Sequence, residues 1–150
     1  MEGVSRLFIK VLFSFFVSAG TSVLNNIEKR YIVLCGLCGS LTAFLYDVSE
    51  NFVSPVMASL ISCFLLATVC QYLSFKTKRP DTSFIIPGIM PVVPGSLVFR
   101  TFDALAESSY MKALDYGTQA IMVGVSIALA LVFNETMTTL FINIKHKAIK

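Results

Sequence analysis

Sequence free of Asp, Glu, Lys and Arg runs from Val11 to Ile27, Tyr31 to Tyr46, Asn51 to Phe75, Thr82 to Phe99 and Tyr116 to Asn134. Each run approaches the ~20 apolar residues that cross ~30 Å of hydrocarbon at ~1.5 Å per residue. The whole chain is 55% hydrophobic and 14% charged, with a mean hydropathy of +0.76. Soluble domains carry about 25% charged residues, so a water-facing surface cannot be built from this composition. The pattern predicts an all-α membrane protein with about five transmembrane helices in the lipid bilayer. It forms a single polytopic domain over residues 1–150, with no stretch left for a separate soluble one.

Arg6 and Lys10 before an apolar stretch, then Ser18-Ala19-Gly20, imitate a cleavable secretory signal. The run continues through Val23 and Leu24 and four more hydrophobic segments follow, so an uncleaved first helix is the expectation, with Lys10 snorkelling from its first turns. Positive loops stay cytoplasmic. Five spans put Lys29, Arg30, Lys76, Lys78, Arg79, Lys145, Lys147 and Lys150 on one side, and only Arg6, Lys10, Arg100 and Lys112 on the other. This predicts a protein of the cell (inner) membrane with its N-terminus outside and its C-terminus cytoplasmic. Asp47, Glu50, Asp103, Glu107 and Asp115 then lie at the outer face, and His146 in the solvated tail.

Expected helices are Leu7 to Leu24, Tyr31 to Val48, Phe52 to Phe75, a broken fourth segment, and Gly117 into the Phe133 region. Small residues at four-residue spacing mark candidate contact stripes: Cys35, Gly39 and Ala43, with Gly36 and Ser40; Ser59, Cys63 and Ala67; Ala120, Gly124 and Ala128. Cys35 and Cys38 have redox-motif spacing. With no second pair and no nearby His or acid, they and Cys63 and Cys70 read as packing residues.

The fourth segment is unlike the others, with Pro87, Pro91, Pro94, Gly88 and Gly95 in one span. An interior proline removes a backbone donor and costs about 3 kcal/mol or more in a helix. Broken backbone at membrane depth survives only under protein cover or beside a wet cavity. One reading is a kinked helix that packs tightly; a re-entrant hairpin is the topological alternative to a crossing. The functional reading starts a half-helix at Pro94, whose free N–H groups near Gly95, Ser96 and Leu97 attract an anion, as half-helix ends do at mid-membrane in transporters. Candidate substrate-binding residues are therefore Pro87, Pro91, Pro94, Gly95, Ser96 and Arg100. Arg100 either adds a cation to the cavity or snorkels outward. Glu135 is a candidate for proton coupling if it lies inside a long fifth helix, although a loop just past that helix is favoured because the charge-free run has already spanned by Asn134. Asp47 is a second candidate acid, at the outer interface. No nucleophile with a base, nucleotide loop, metal site or cofactor motif stands out, so an enzyme is not expected, and the net charge of +3 points to no nucleic-acid partner.

The motif Pro87-Gly-Ile-Met-Pro91-Val-Val-Pro94-Gly95, preceded by a basic loop and by a helix containing Val56-Met57-Ala58-Ser59, resembles the threonine/serine exporter family, and more narrowly its small-subunit or C-terminal-domain type. The resemblance implies efflux of small-molecule metabolites, threonine and serine in some members and dicarboxylates such as succinate in others, driven by the proton gradient. In full-length members this domain follows another multi-span domain, so a larger membrane subunit of the same family is implied as partner. A homo-oligomer is the alternative association, and an auxiliary subunit without its own substrate path is the rival function.

Overall fold

The computed structural model describes residues 2–148, with side chains described at 5 and 7–140. The expectations for Arg6, Lys145, His146, Lys147 and Lys150 concern side chains outside that range. The described residues form six α-helices and one 3-10 turn: α1 (Glu2–Leu24), α2 (Lys29–Glu50), α3 (Pro55–Thr77), α4 (Thr82–Ile89), the turn Met90–Val92, α5 (Gly95–Ala106) and α6 (Tyr110–Ala148). The boundaries follow local chemistry. Pro55 starts α3, where its missing N–H costs nothing, and Asn26 and Ser108 adopt positive φ where α1 and α5 end.

The first three helices run antiparallel, α1 against α2 and α2 against α3; α6 packs on α3, and α5 on α6. α4 and the 3-10 turn nest against α1, α2 and α3. Apolar packing accounts for this centre: Phe84 is buried among Tyr31, Cys35, Cys38, Leu66 and Cys70, and Val92 among Cys63, Val123, Ile127 and Ala130. Phe84 and Tyr31 meet edge to face at 6.0 Å. All four cysteines are buried as free thiols within this packing.

Polar contacts set the register of α3 and α6. The hydroxyls of Ser59 and Ser126 lie 2.6 Å apart, Asn134 Nδ2 donates to Thr68 Oγ1 at 2.6 Å, and Thr138 donates to Gln71. Residue numbers rise together along both helices, so α3 and α6 are parallel. A chain that leaves α3 at one end of the bundle and starts α6 at the other must cross between them. The α4–α5 pair, bent by 49°, makes that crossing as a broken fourth span, and the re-entrant alternative does not fit this topology.

Two expectations for the last span need correction. α6 starts at Tyr110 and continues past Glu135, so Glu135 is helical and not in a loop. Its buried face is Ala120, Val123, Ile127, Ala130 and Asn134, whereas Gly124 and Ala128 face outward. The stripe on α3, by contrast, is fully buried at Ser59, Cys63 and Ala67.

Charge sorts along the bundle axis. Lys29, Arg30, Lys76, Lys78 and Arg79 gather at the end holding the α1–α2 and α3–α4 turns, where Glu28 pairs with Arg79 and, at 3.8 Å, with Arg30. Lys10, Asp47, Glu50 and the α5–α6 turn lie toward the other end.

Candidate functional site

The proline-broken span frees specific backbone carbonyls. Pro87, Pro91 and Pro94 cannot donate to the carbonyls four residues earlier, those of Ser83, Pro87 and Met90. Two of these find donors from neighbouring helices. Ser18 Oγ, fully buried on α1, donates to the Pro87 carbonyl at 2.7 Å, and the Cys35 thiol on α2 reaches the Ser83 carbonyl at 3.7 Å. Glycines make the approach possible. A Cβ on Gly39 would fall inside the Ser18 side chain, and one on Gly36 would lie 2.6 Å from the Phe15 ring. A Cβ on Gly88 would press both Leu66 methyls at 3.0 Å. The Pro87-Gly88 half of the motif is thus a packed joint, with Pro87 and Gly88 both buried. Ser18 ties the heart of α1 to the proline-broken span through a buried hydrogen bond.

The other half of the motif borders open space. A cavity of about 300 Å³ lies where α5 begins, lined by Tyr46, Glu50, Pro55, Pro91, Val92, Val93, Pro94, Ser96, Leu97, Gln119 and Val123. Pro94 caps α5; the Gly95 N–H donates to the Val93 carbonyl at 2.8 Å and the Val98 N–H to the Pro94 carbonyl at 3.1 Å, which leaves the N–H groups of Ser96 and Leu97 without an intrahelical acceptor. Glu50, Ser96, Gln119 and Tyr46 add a carboxylate, two hydroxyls and an amide to the wall. The same space therefore presents an anion-favouring helix end and a fixed negative group. Because Val92 packs at the level of Cys63 and Leu60, and Pro55 lines the cavity, the break sits toward the α2–α3 turn and not at the middle of the bundle.

Across the 3-10 turn lies a second cavity of about 480 Å³, lined by Lys10, Ser14, Ala43, Tyr46, Asp47, Met90, Pro91 and Val92 among others. Lys10 Nζ donates to Asp47 Oδ1 at 2.7 Å on its rim. Tyr46, Pro91 and Val92 line both cavities and form the partition between them. Met90, whose carbonyl Pro94 frees, faces the second one.

Of the residues singled out from sequence, Pro91, Pro94 and Ser96 line the first cavity and Asp47 the second. Pro87 lies in the packed joint, and Gly95 is exposed beside the break. Arg100 is on neither wall: its guanidinium lies 5.9 Å from the Tyr116 ring on the exposed side of α5. Glu135 is likewise remote from both cavities. Sequence reasoning passed over Glu50, Tyr46 and Gln119, and the available signal was Glu50 on the last turn of α2, one turn beyond Tyr46. Comparison with known families finds a match over residues 10–137 to the family described as Threonine/Serine exporter, ThrE. No curated protein and no solved structure matches the chain.

Proposed function

The chain belongs to the threonine/serine exporter family, which covers both cavities and the whole broken span, and from that premise we propose that the cavity at the start of α5 binds the exported solute. A multi-pass membrane exporter of the threonine/serine type is the family's function. The observation that refines it is the coexistence of the α5 N-terminus with Glu50 on one wall. A zwitterionic amino acid satisfies both, its carboxylate at the N–H groups near Ser96 and its ammonium at Glu50, with Ser96 and Gln119 available to a side-chain hydroxyl. A dicarboxylate such as succinate would bring a second anion toward Glu50, so serine and threonine are the favoured cargo.

Asp47, held by Lys10 across the partition, is the acid best placed to couple export to a proton gradient, because breaking that ion pair would open the second cavity. A larger membrane subunit of the family completes the exporter. The chain sits in the inner membrane with its basic end and C-terminus cytoplasmic. The cavity then faces the outer half of the bilayer.

The test is efflux of radiolabelled threonine, serine and succinate from cells lacking the chain and its partner, complemented with both. Glu50→Gln and Ser96→Ala are each expected to cut threonine export about tenfold or more, the scale of one lost charge-assisted contact, while the complex still assembles. Undiminished export in an assembled complex would leave the auxiliary-subunit reading standing.

A further inference from the structure

α6 carries an anomaly that neither cavity uses. Its residue Glu135 is exposed on the helix surface, yet Asn134 beside it is tied to Thr68 and to the Phe64 carbonyl, deep in the apolar run of α3. Thr68 stands about two turns before Lys76, on the order of 12 Å from that end of the span. Side chains on a helix lean toward its N-terminus, so Glu135 points away from this nearer interface and cannot simply snorkel to it. Among the described residues it has no ion pair and no hydrogen-bond donor. The buried Asn134 Oδ1 next to it also lacks a donor. On the exposed side, the Glu135 carboxylate is thus an unserved acceptor at a depth where lipid offers no proton donor.

The surrounding surface is shaped for contact. Gly124, Ala128 and Glu135 fall within a narrow arc of α6, since seven residues make about two turns. Gly124 and Ala128 are exposed, and a Cβ on Gly124 would meet nothing within 4 Å. Small residues let a second helix approach closely, and polar side chains then bond across the seam.

We propose that this flank of α6 is the docking face for a transmembrane helix of a different subunit, one that presents Lys, Arg or an amide donor at the depth of Glu135. It deepens the two-subunit reading above and rests on it. Charge complementarity excludes a second copy as the occupant. A two-fold pair through this face would bring carboxylate toward carboxylate, and the described Lys and Arg residues of α1 to α6 all lie near the bundle ends.

The decisive experiment places a photo-crosslinking amino acid at Ala128 in the full chain in its native membranes, with Leu129 and Phe133 on the other flank of α6 as controls. The expected adduct at Ala128 is a transmembrane segment of another protein with a basic or amide residue within one turn of the site. Glu135→Lys is then expected to lower recovery of the complex about tenfold, and reversing the charge of the identified residue to restore it. Crosslinks to another protein from the control positions only would overturn the face while sparing the two-subunit reading. Absence of such crosslinks at every position, or an adduct with a second copy, would sink both. Glu135→Leu supplies an independent check on the chain by itself, where its thermal stability is expected to be unchanged or higher. A clear loss of stability there would make Glu135 an internal structural residue and refute the proposal.

Discussion

Ser18→Ala removes the only donor that reaches the Pro87 carbonyl from α1, and its cost can be worked from the structure. Side-chain hydrogen bonds between membrane helices average about 0.6 kcal/mol and reach about 1.7, because a broken bond usually finds another partner. This carbonyl has none to find. The residue that would normally donate to it is Pro91, and Ser18 is fully buried, so water does not replace the hydroxyl. The expected cost is therefore at the top of the range, about 1.5–2 kcal/mol, or a fall in melting temperature of roughly 4 °C for a chain of this size. Pro91→Ala supplies the missing N–H at position 91, which can take the Pro87 carbonyl within the helix. In that background Ser18→Ala is expected to cost about 0.5 kcal/mol or less, a coupling of about 1 kcal/mol in the double-mutant cycle. The four buried cysteines provide the assay: a thiol-reactive fluorogenic dye reports their exposure as detergent-solubilised protein is heated. Equal costs in the two backgrounds would refute the assignment of Ser18 as the proline's substitute donor.

Gly39→Ala is expected to be more damaging, about 3 kcal/mol in the same melt, because its Cβ overlaps Ser18 and pushes α1 from α2; a melt equal to the parent's would refute the tight α1–α2 approach. Lys10→Gln and Asp47→Asn each remove a partly exposed ion pair worth under about 1 kcal/mol, so both are expected to melt near the parent while export falls; equal export would remove the second cavity from the pathway. Single cysteines at Ser5, Thr77 and Ala148 in a cysteine-free background are expected to react with an impermeant reagent from outside at Ser5 only. Labelling of all three from one side would end the five-span arrangement.

Much of the architecture was written in the placement of charge. Five charge-free runs foretell five crossings because carrying a bare charge through hydrocarbon is costly, and the three prolines mark the broken span because each removes a donor. Counting charges misled at α6, where the helix begins at Tyr110 with Lys112 and Asp115 on its early turns and passes through Glu135. Backbone hydrogen bonding continues regardless of such side chains. Spacing of small residues also left the face of α6 open: Ala120, Gly124 and Ala128 have a suitable period, but only packing against α3 decides that Val123, Ile127 and Ala130 turn inward. The candidate site was half legible. Pro91, Pro94 and Ser96 came from local chain logic, whereas Glu50 and Gln119 reach the same cavity from helices far apart in sequence, which no local pattern reveals.

The bond from Ser18 to the Pro87 carbonyl spans 69 residues and bears on how the protein is made. The Thr82–Phe99 run is nearly as long as the other spans, but Pro87 and Pro91 leave the Ser83 and Pro87 carbonyls without intrahelical donors until Cys35 and Ser18 reach them. When it emerges from the ribosome, the α1–α2 hairpin and α3 have already been synthesised, and they carry Ser18, Cys35 and the glycine-lined groove it needs. The broken span is therefore expected to settle only once α1 and α2 are in place, because those helices carry its substitute donors. Substitutions at Ser18 or Gly39 should slow this step and lower the yield of inserted protein, while the fraction that inserts remains folded enough to melt.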